Sequence, residues 1–267
     1  MKQLYDVIII GATIESLTLC QYLNKKDTTF NILIIDETFK NKTKKYANLK
    51  ANFIQDKAIY TAYHQGIYRI SVQSKEVFLG KAIVVSTGST FIKNKSLNGT
   101  GIIYDLDDLK KTSRKKQLVI CGNNLDVINY AKRLQKKFKY VYICAENDIL
   151  DGHEDLAKEI SEFPNVAYLP NCKIASYKVT KNKVLQEITL DTFSKIHCKD
   201  LIGAYGRKPV VSGVTSQLLL KDSDGYAVIN ENNESTKIST IYALGNCTRN
   251  PKNKDIEKIG KLLLERK

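Results

Sequence analysis

The chain has 267 residues, 43% of them apolar and 26% charged, a composition that supports a buried core and excludes a disordered chain. Its formal net charge is +14, yet only six of the 42 basic residues are Arg, and the basic runs over 40–50, 110–116 and 136–139 lack interleaved aromatics, which reads as solvated surface and argues against a nucleic-acid partner. No apolar stretch approaches the roughly 18 to 20 residues of a membrane span, and Val7-Ile8-Ile9-Ile10 is too short for a secretion-signal core, so neither a membrane partner nor export is expected.

In chain order, the first predicted element is a strand over Tyr5-Asp6-Val7-Ile8-Ile9-Ile10-Gly11, whose apolar run suits burial on both faces. Residues 14–24 follow at helical spacing through Ile14, Leu17, Leu19, Cys20 and Leu23. Phe30 to Asp36 is a second apolar strand closed by an acid, completing a βαβ unit with parallel strands. Hairpin-like alternation occupies 67–85, as Ile67 to Val72, Val77 to Leu79 and Ile83 to Val85, and a Gly-, Asp- and Lys-rich hinge is expected over 94–114.

The opening pattern then recurs 111 residues later: a strand from Gln117 to Gly122, a helix over 125–137 and a strand from Tyr140 to Cys144, followed by Ala145-Glu146. Short strands run through 166–203, a buried strand through Ser239 to Gly245, and a terminal helix begins at Asp255 with Ile256, Ile259, Leu262 and Leu263 on one face. Two such βαβ units predict an α/β fold with two Rossmann-like dinucleotide-binding domains.

The six cysteines (20, 121, 144, 172, 198 and 247) include no C-x-x-C pair and no zinc spacing, so they read as reduced cytoplasmic thiols, most of them small buried hydrophobes. Cys247, after the Gly245 turn, is expected to be unreactive for the same reason. His64, His153 and His197 have no partner at metal or catalytic spacing, and the Asp105-Asp107-Asp108 run lacks the rest of a calcium loop, so no metal is expected.

An ordered set of anchors resembles one known family. Gly11 with Asp36, Ile83-Val84-Val85-Ser86-Thr87-Gly88, Gly122 with Glu146, Ile202-Gly203-Ala204-Tyr205-Gly206-Arg207-Lys208-Pro209 and Ala243-Leu244-Gly245-Asn246 are similar, in that order, to the FAD- and pyridine-nucleotide-dependent oxidoreductases of the thioredoxin reductase type. The resemblance covers the chain except about 38–66. It implies an FAD-like domain built from 1–109 and 200–267, interrupted by an NAD(P)-like domain over 110–199, often in a homodimer. Carried over residue by residue, it places FAD at Gly11, Ala12, Asp36, Thr87, Gly88, Gly245 and Asn246, and the nicotinamide cofactor at Gly122 and Glu146. No catalytic residue is implied.

The departures matter as much. A G-x-G-x-x-G turn uses its second Gly to admit the pyrophosphate and its third for helix packing. Here the turns read Gly11-Ala12-Thr13-Ile14-Glu15-Ser16 and Gly122-Asn123-Asn124-Leu125-Asp126-Val127, so each keeps only the first Gly and sets an acid in the first helical turn, where it competes with a phosphate. The positions that clamp the 2′-phosphate in NADPH-using relatives hold Ala145, Glu146 and Asn147, which favours NAD over NADP. The stretch matching the family's redox cysteines reads Ile103-Tyr104-Asp105-Leu106-Asp107-Asp108-Leu109, and the closing Gly-Asp appears as Gly245-Asn246. Two functions follow as expectations: an FAD-containing, NAD(H)-linked oxidoreductase without the cysteine pair, passing electrons to a small-molecule or protein acceptor, or a non-catalytic paralogue with weakened dinucleotide binding that serves as an interaction module.

Overall fold

A computed structural model describes residues 3–38, 48–97, 101–109, 116–249, 251–252 and 254–267. Residues 40–47 of the basic run over 40–50, residues 110–115 of that over 110–116, and residues 98–100 and 110–114 of the expected hinge lie outside them. The chain divides into two compact units, Met1–Thr90 with Lys208–Lys267, and Phe91–Arg207. The expected boundaries after residues 109 and 199 are thereby corrected, because residues assigned to the outer domain on either side of the insertion prove to be strands of the inner unit's own sheet.

In the first unit, β1 (Leu4–Ile10), α1 (Ile14–Lys26) and β2 (Ile32–Ile35) form the expected βαβ unit, with β1 and β2 parallel from Val7 opposite Ile32 to Ile10 opposite Ile35. Then come β3 (Asn52–Ile54), β4 (Ala58–His64), β5 (Ile67–Val72), β6 (Val77–Val85) and, at the boundary, β7 (Ser89–Phe91). The second unit contains β8 (Ile102–Ile103), β9 (Gln117–Gly122), α2 (Asp126–Leu134), β10 (Tyr140–Ala145), α3 (Glu154–Ser161), β11 (Val166–Leu169), β12 (Ile174–Val179), β13 (Leu185–Leu190), β14 (Lys195–His197) and β15 (Asp200–Ala204). The chain returns through β16 (Arg207–Pro209) to α4 (Val214–Leu218), β17 (Ile241–Ala243) and α5 (Lys254–Glu265). No helix among the described residues is long and apolar enough to cross a membrane.

The first unit's parallel strands run in the order β3-β2-β1-β6-β17, with β5 and β4 continuing antiparallel from the first half of β6. Alternate side chains enter two different cores. Ile8, Ile10, Leu33, Ile35, Ile83, Val85, Ile241 and Ala243 face one side with Tyr68, Ile70 and Val72 of β5. Val7, Ile9, Ile32, Ile34, Ala82, Val84 and Tyr242 face the other, covered by Leu17, Cys20 and Leu23 of α1 and Ile256, Ile259 and Leu263 of α5. A sheet wetted on neither face needs apolar residues at every position, which is why its strands read as unbroken runs.

The second unit repeats this plan, with parallel strands in the order β11-β10-β9-β15-β8. Leu118, Ile120, Val141, Ile143 and Ile202 meet α2 on one face. Val119, Cys121, Cys144 and Leu201 meet the antiparallel sheet β12-β13-β14 on the other, through Leu185, Ile188, Leu190 and Ile196. The correction to the boundaries is visible here: β8 pairs with β15, and β15 with β9, so neither can belong to a separate domain.

Candidate functional site

Parallel pairing aligns the carboxyl ends of β1, β2, β6 and β17: Ile10 lies opposite both Ile35 and Val85, and Val85 opposite Ala243. The residues that directly follow the first three ends, Gly11, Asp36 and Ser86, and Gly245 two residues beyond β17, are therefore brought to one edge, the edge where open α/β sheets bind ligands. All seven first-unit candidates, Gly11, Ala12, Asp36, Thr87, Gly88, Gly245 and Asn246, lie on these turns.

Gly11 is required by close approach. Its φ is +100°, and a Cβ there would stand 2.2 Å from the Ser86 carbonyl oxygen. Asp36 accepts the Ala12 N–H (2.8 Å) through one oxygen and the Thr38 N–H (2.8 Å) and hydroxyl (3.1 Å) through the other, so it braces the turn while keeping acceptor capacity for a further hydroxyl. Ser16, at the third-Gly position, is fully buried and donates to the Gly11 carbonyl at 3.0 Å, fastening the helix to the turn. The Thr87 hydroxyl donates to the Val210 carbonyl. Beside the turn is a cavity of about 290 Å³ lined by Gly11, Asp36, Thr87 and, undetected in the sequence, Glu37, Thr38, Asp56, Lys57, Ser212 and Thr215. Glu37 and Thr38 follow Asp36 directly, whereas no local pattern marks Asp56, Lys57, Ser212 and Thr215, which only folding brings there.

The residue at the second-Gly position behaves differently from a phosphate cradle. Thr13 caps α1: its hydroxyl accepts the Ser16 N–H at 3.4 Å and shares a 2.6 Å hydrogen bond with the Ser86 hydroxyl. Glu15, in the first turn of α1, lays its carboxyl group over Gly245, 3.1 Å from where a Cβ would be. The edge thus holds a cavity beside a strand-end acid, while the side chains of Thr13 and Glu15 lie against the backbone of Gly88 and Gly245.

In the second unit Gly122 lies opposite Ala145 and Ala204, with a would-be Cβ 2.2 Å from the Ala204 carbonyl oxygen, the same close approach as at Gly11. The half-buried Glu146 follows β10, and Tyr205, whose phenol is pushed above its ordinary range by burial, follows β15 at the same edge. Asn124 turns its side-chain oxygen onto the Asp126 N–H at 2.9 Å, occupying a donor of α2 that a phosphate would use. Gly122 and Glu146 are thus brought together.

Cys247 is fully buried, its thiol 3.4 Å from the Leu244 carbonyl and 3.5 Å from that of Val85, and burial pushes it up to about 11. His197 sits 3.3 Å from the Glu187 carboxylate. Among the described residues no group of three or more His, Cys, Asp or Glu side chains is arranged to hold a metal ion.

With this geometry in hand, the chain can be compared with known proteins. It is 23% identical over 195 residues to a ferredoxin–NADP reductase 1 of Oceanobacillus iheyensis, covering 67% of this chain and 56% of that one. The corresponding protein of Bacillus anthracis is 20% identical over 194 residues, at 67% and 55% coverage. The chain therefore matches little more than half the length of these curated relatives. Among solved structures, thioredoxin reductase from Lactococcus lactis superposes with a TM-score of 0.79 at 16% identity, covering 98% of this chain and 97% of that one. The T. acidophilum enzyme gives 0.76 at 16% identity, with 99% and 98% coverage. The fold is thus that of thioredoxin reductases, two Rossmann-like units with the second inserted in the first. Residues 5–258 match a single family across both units, and the chain belongs to the pyridine nucleotide-disulphide oxidoreductases.

Proposed function

We propose that the chain is an oxidoreductase that takes FAD at the first unit and NAD(H), in preference to NADP(H), at the second, and passes electrons to a small-molecule or protein acceptor without a cysteine pair of its own. One observation carries this reading: the same construction occurs twice, a Gly turn pressed against a neighbouring strand end, Gly11 on Ser86 and Gly122 on Ala204, each with an acid closing the next strand, Asp36 and Glu146. An acid there accepts from a ribose 2′-hydroxyl and repels a 2′-phosphate. In such an enzyme the redox chemistry belongs to the cofactors, and the protein binds and orients them. The sequence holds no C-x-x-C pair. All six cysteines are buried and unpaired, which supports a reducing, cytoplasmic setting.

The contacts of Thr13 and Glu15 favour a second reading, a non-catalytic member with weakened dinucleotide binding. The absorption spectrum of the purified protein, before and after FAD addition and desalting, separates the two. A retained flavin band that bleaches anaerobically with NADH, and more slowly with NADPH, is the expected result; a colourless protein after desalting favours the second reading.

A further inference from the structure

We propose that Glu15 and Thr13 close the diphosphate portion of the first unit's crevice from within, so that a nucleoside enters freely and a nucleoside diphosphate enters only when the Glu15 carboxylate leaves Gly245. The proposal rests on the flavin reading above and concerns what regulates access to that same site.

Three turns meet at this edge, 11–15, 86–88 and 245, and side chains of the first reach both of the others. The Thr13 hydroxyl is bonded to that of Ser86 at 2.6 Å, and the Thr13 methyl lies 3.2 Å from the Cβ position of Gly88. The Glu15 carboxyl carbon and one oxygen each lie 3.1 Å from the Cβ position of Gly245. Gly88 and Gly245 thus present bare backbone, and the chain covers both with its own side chains. Charge acts in the same direction. The amino end of the 13-residue α1 favours an anion, and Glu15, in its first turn, already supplies one. A diphosphate arriving there meets a like charge and finds the capping hydroxyl engaged.

The open cavity has the opposite character. Asp36, Glu37 and Asp56 line it with Lys57, whose ammonium is 3.7 Å from Glu37, together with Thr38, Thr87, Ser212 and Thr215. Acceptors and hydroxyls in excess of cations suit a neutral, hydroxyl-bearing ribose and disfavour a phosphate.

Isothermal titration of the purified chain with adenosine, ADP and FAD tests this, using Glu15→Gln, which keeps the volume and removes the charge, and Glu15→Ala, which removes both; far-UV circular dichroism checks that each folds. Wild type is expected to bind adenosine more tightly than ADP. Affinity for ADP and FAD is expected to rise in the order wild type, Gln, Ala, by about tenfold at the first step, with adenosine within about twofold throughout. Adding Thr13→Gly to Glu15→Ala should raise it again. Wild type that prefers ADP, or ADP affinity unchanged across the series, overturns the proposal. FAD affinity that does not rise from wild type to the Glu15 variants overturns it while leaving the flavin reading standing; failure of every folded variant to bind adenosine or FAD removes both.

Discussion

At the scale of single residues, two buried tyrosines distinguish a hydroxyl that stabilises from one that does not. Tyr68 donates to the Ser239 carbonyl at 2.8 Å and shares a second 2.8 Å bond with the Thr240 hydroxyl, whereas the Tyr242 hydroxyl has no partner among the described residues although its ring is fully buried. A made hydrogen bond contributes about 1 kcal/mol, and a buried unmade one costs about 1–3 kcal/mol. Tyr68→Phe is therefore expected to lower stability by about 1 kcal/mol, and Tyr242→Phe to leave it unchanged or raise it; urea titrations followed by circular dichroism read both. The candidate site shows the same limit on sequence reading. Gly11, Asp36, Gly122 and Glu146 were legible because each stands at the end of an apolar strand, where a reversal of polarity is conspicuous. Lys57, Ser212 and Thr215 were not, since nothing within a few residues of them signals a ligand.

At the scale of elements, the βαβ units and the terminal helix were legible because periodicity reports burial directly. The sequence pattern shows two apolar pieces, Val77 to Leu79 and Ile83 to Val85, but β6 is one strand from Val77 to Val85. Gly80 and Lys81 broke the apolar run for physical reasons: a Cβ at Gly80 would stand 2.7 Å from the Ile8 side chain, and the Lys81 ammonium meets the Asp6 carboxylate at 2.9 Å. The strand holds together because β1 pairs with it from Leu79 to Val85, across the Gly80-Lys81 break, while β5 takes its first half and β17 its second. Gly80→Val is accordingly expected to cost about 1–3 kcal/mol by forcing Ile8 out of place. A loss under about 0.5 kcal/mol in the same urea titration would show that Ile8 repacks freely. β3 and β4 carry no such signature in the sequence. β4 leaves Ile59, Tyr60 and Tyr63 about half exposed at the sheet edge, so its apolar residues do not alternate with burial.

At the scale of the whole molecule, cysteines far apart in sequence are gathered by the fold. Cys121, Cys144, Cys172 and Cys198 all enter one core cluster of the second unit. Contact with neighbouring thiols raises Cys144 and Cys172, with burial adding to it, and burial raises Cys20 and Cys198 to about 12. The thiolate is the reactive form, so a disulfide-exchange reagent at pH 8 is expected to leave all six thiols of the native protein unmodified over minutes and to react with all six in guanidinium. Rapid labelling of even one native thiol would contradict the closed cores described above.

Local sequence determined what depends on neighbours in the chain: the parallel-strand runs, the duplicated turn-and-acid pattern and the absence of a C-x-x-C pair. Burial on both faces imposes continuous hydrophobicity, and a Gly turn must follow such a strand directly, so both are written in consecutive residues. Tertiary structure alone decided where the second unit begins and ends, because the pairing of Ile102–Ile103 with β15 joins strands about a hundred residues apart. It also decided that Thr13 and Glu15 turn back onto Ser86 and Gly245. Which partner a polar side chain chooses depends on groups that only the folded chain brings within reach.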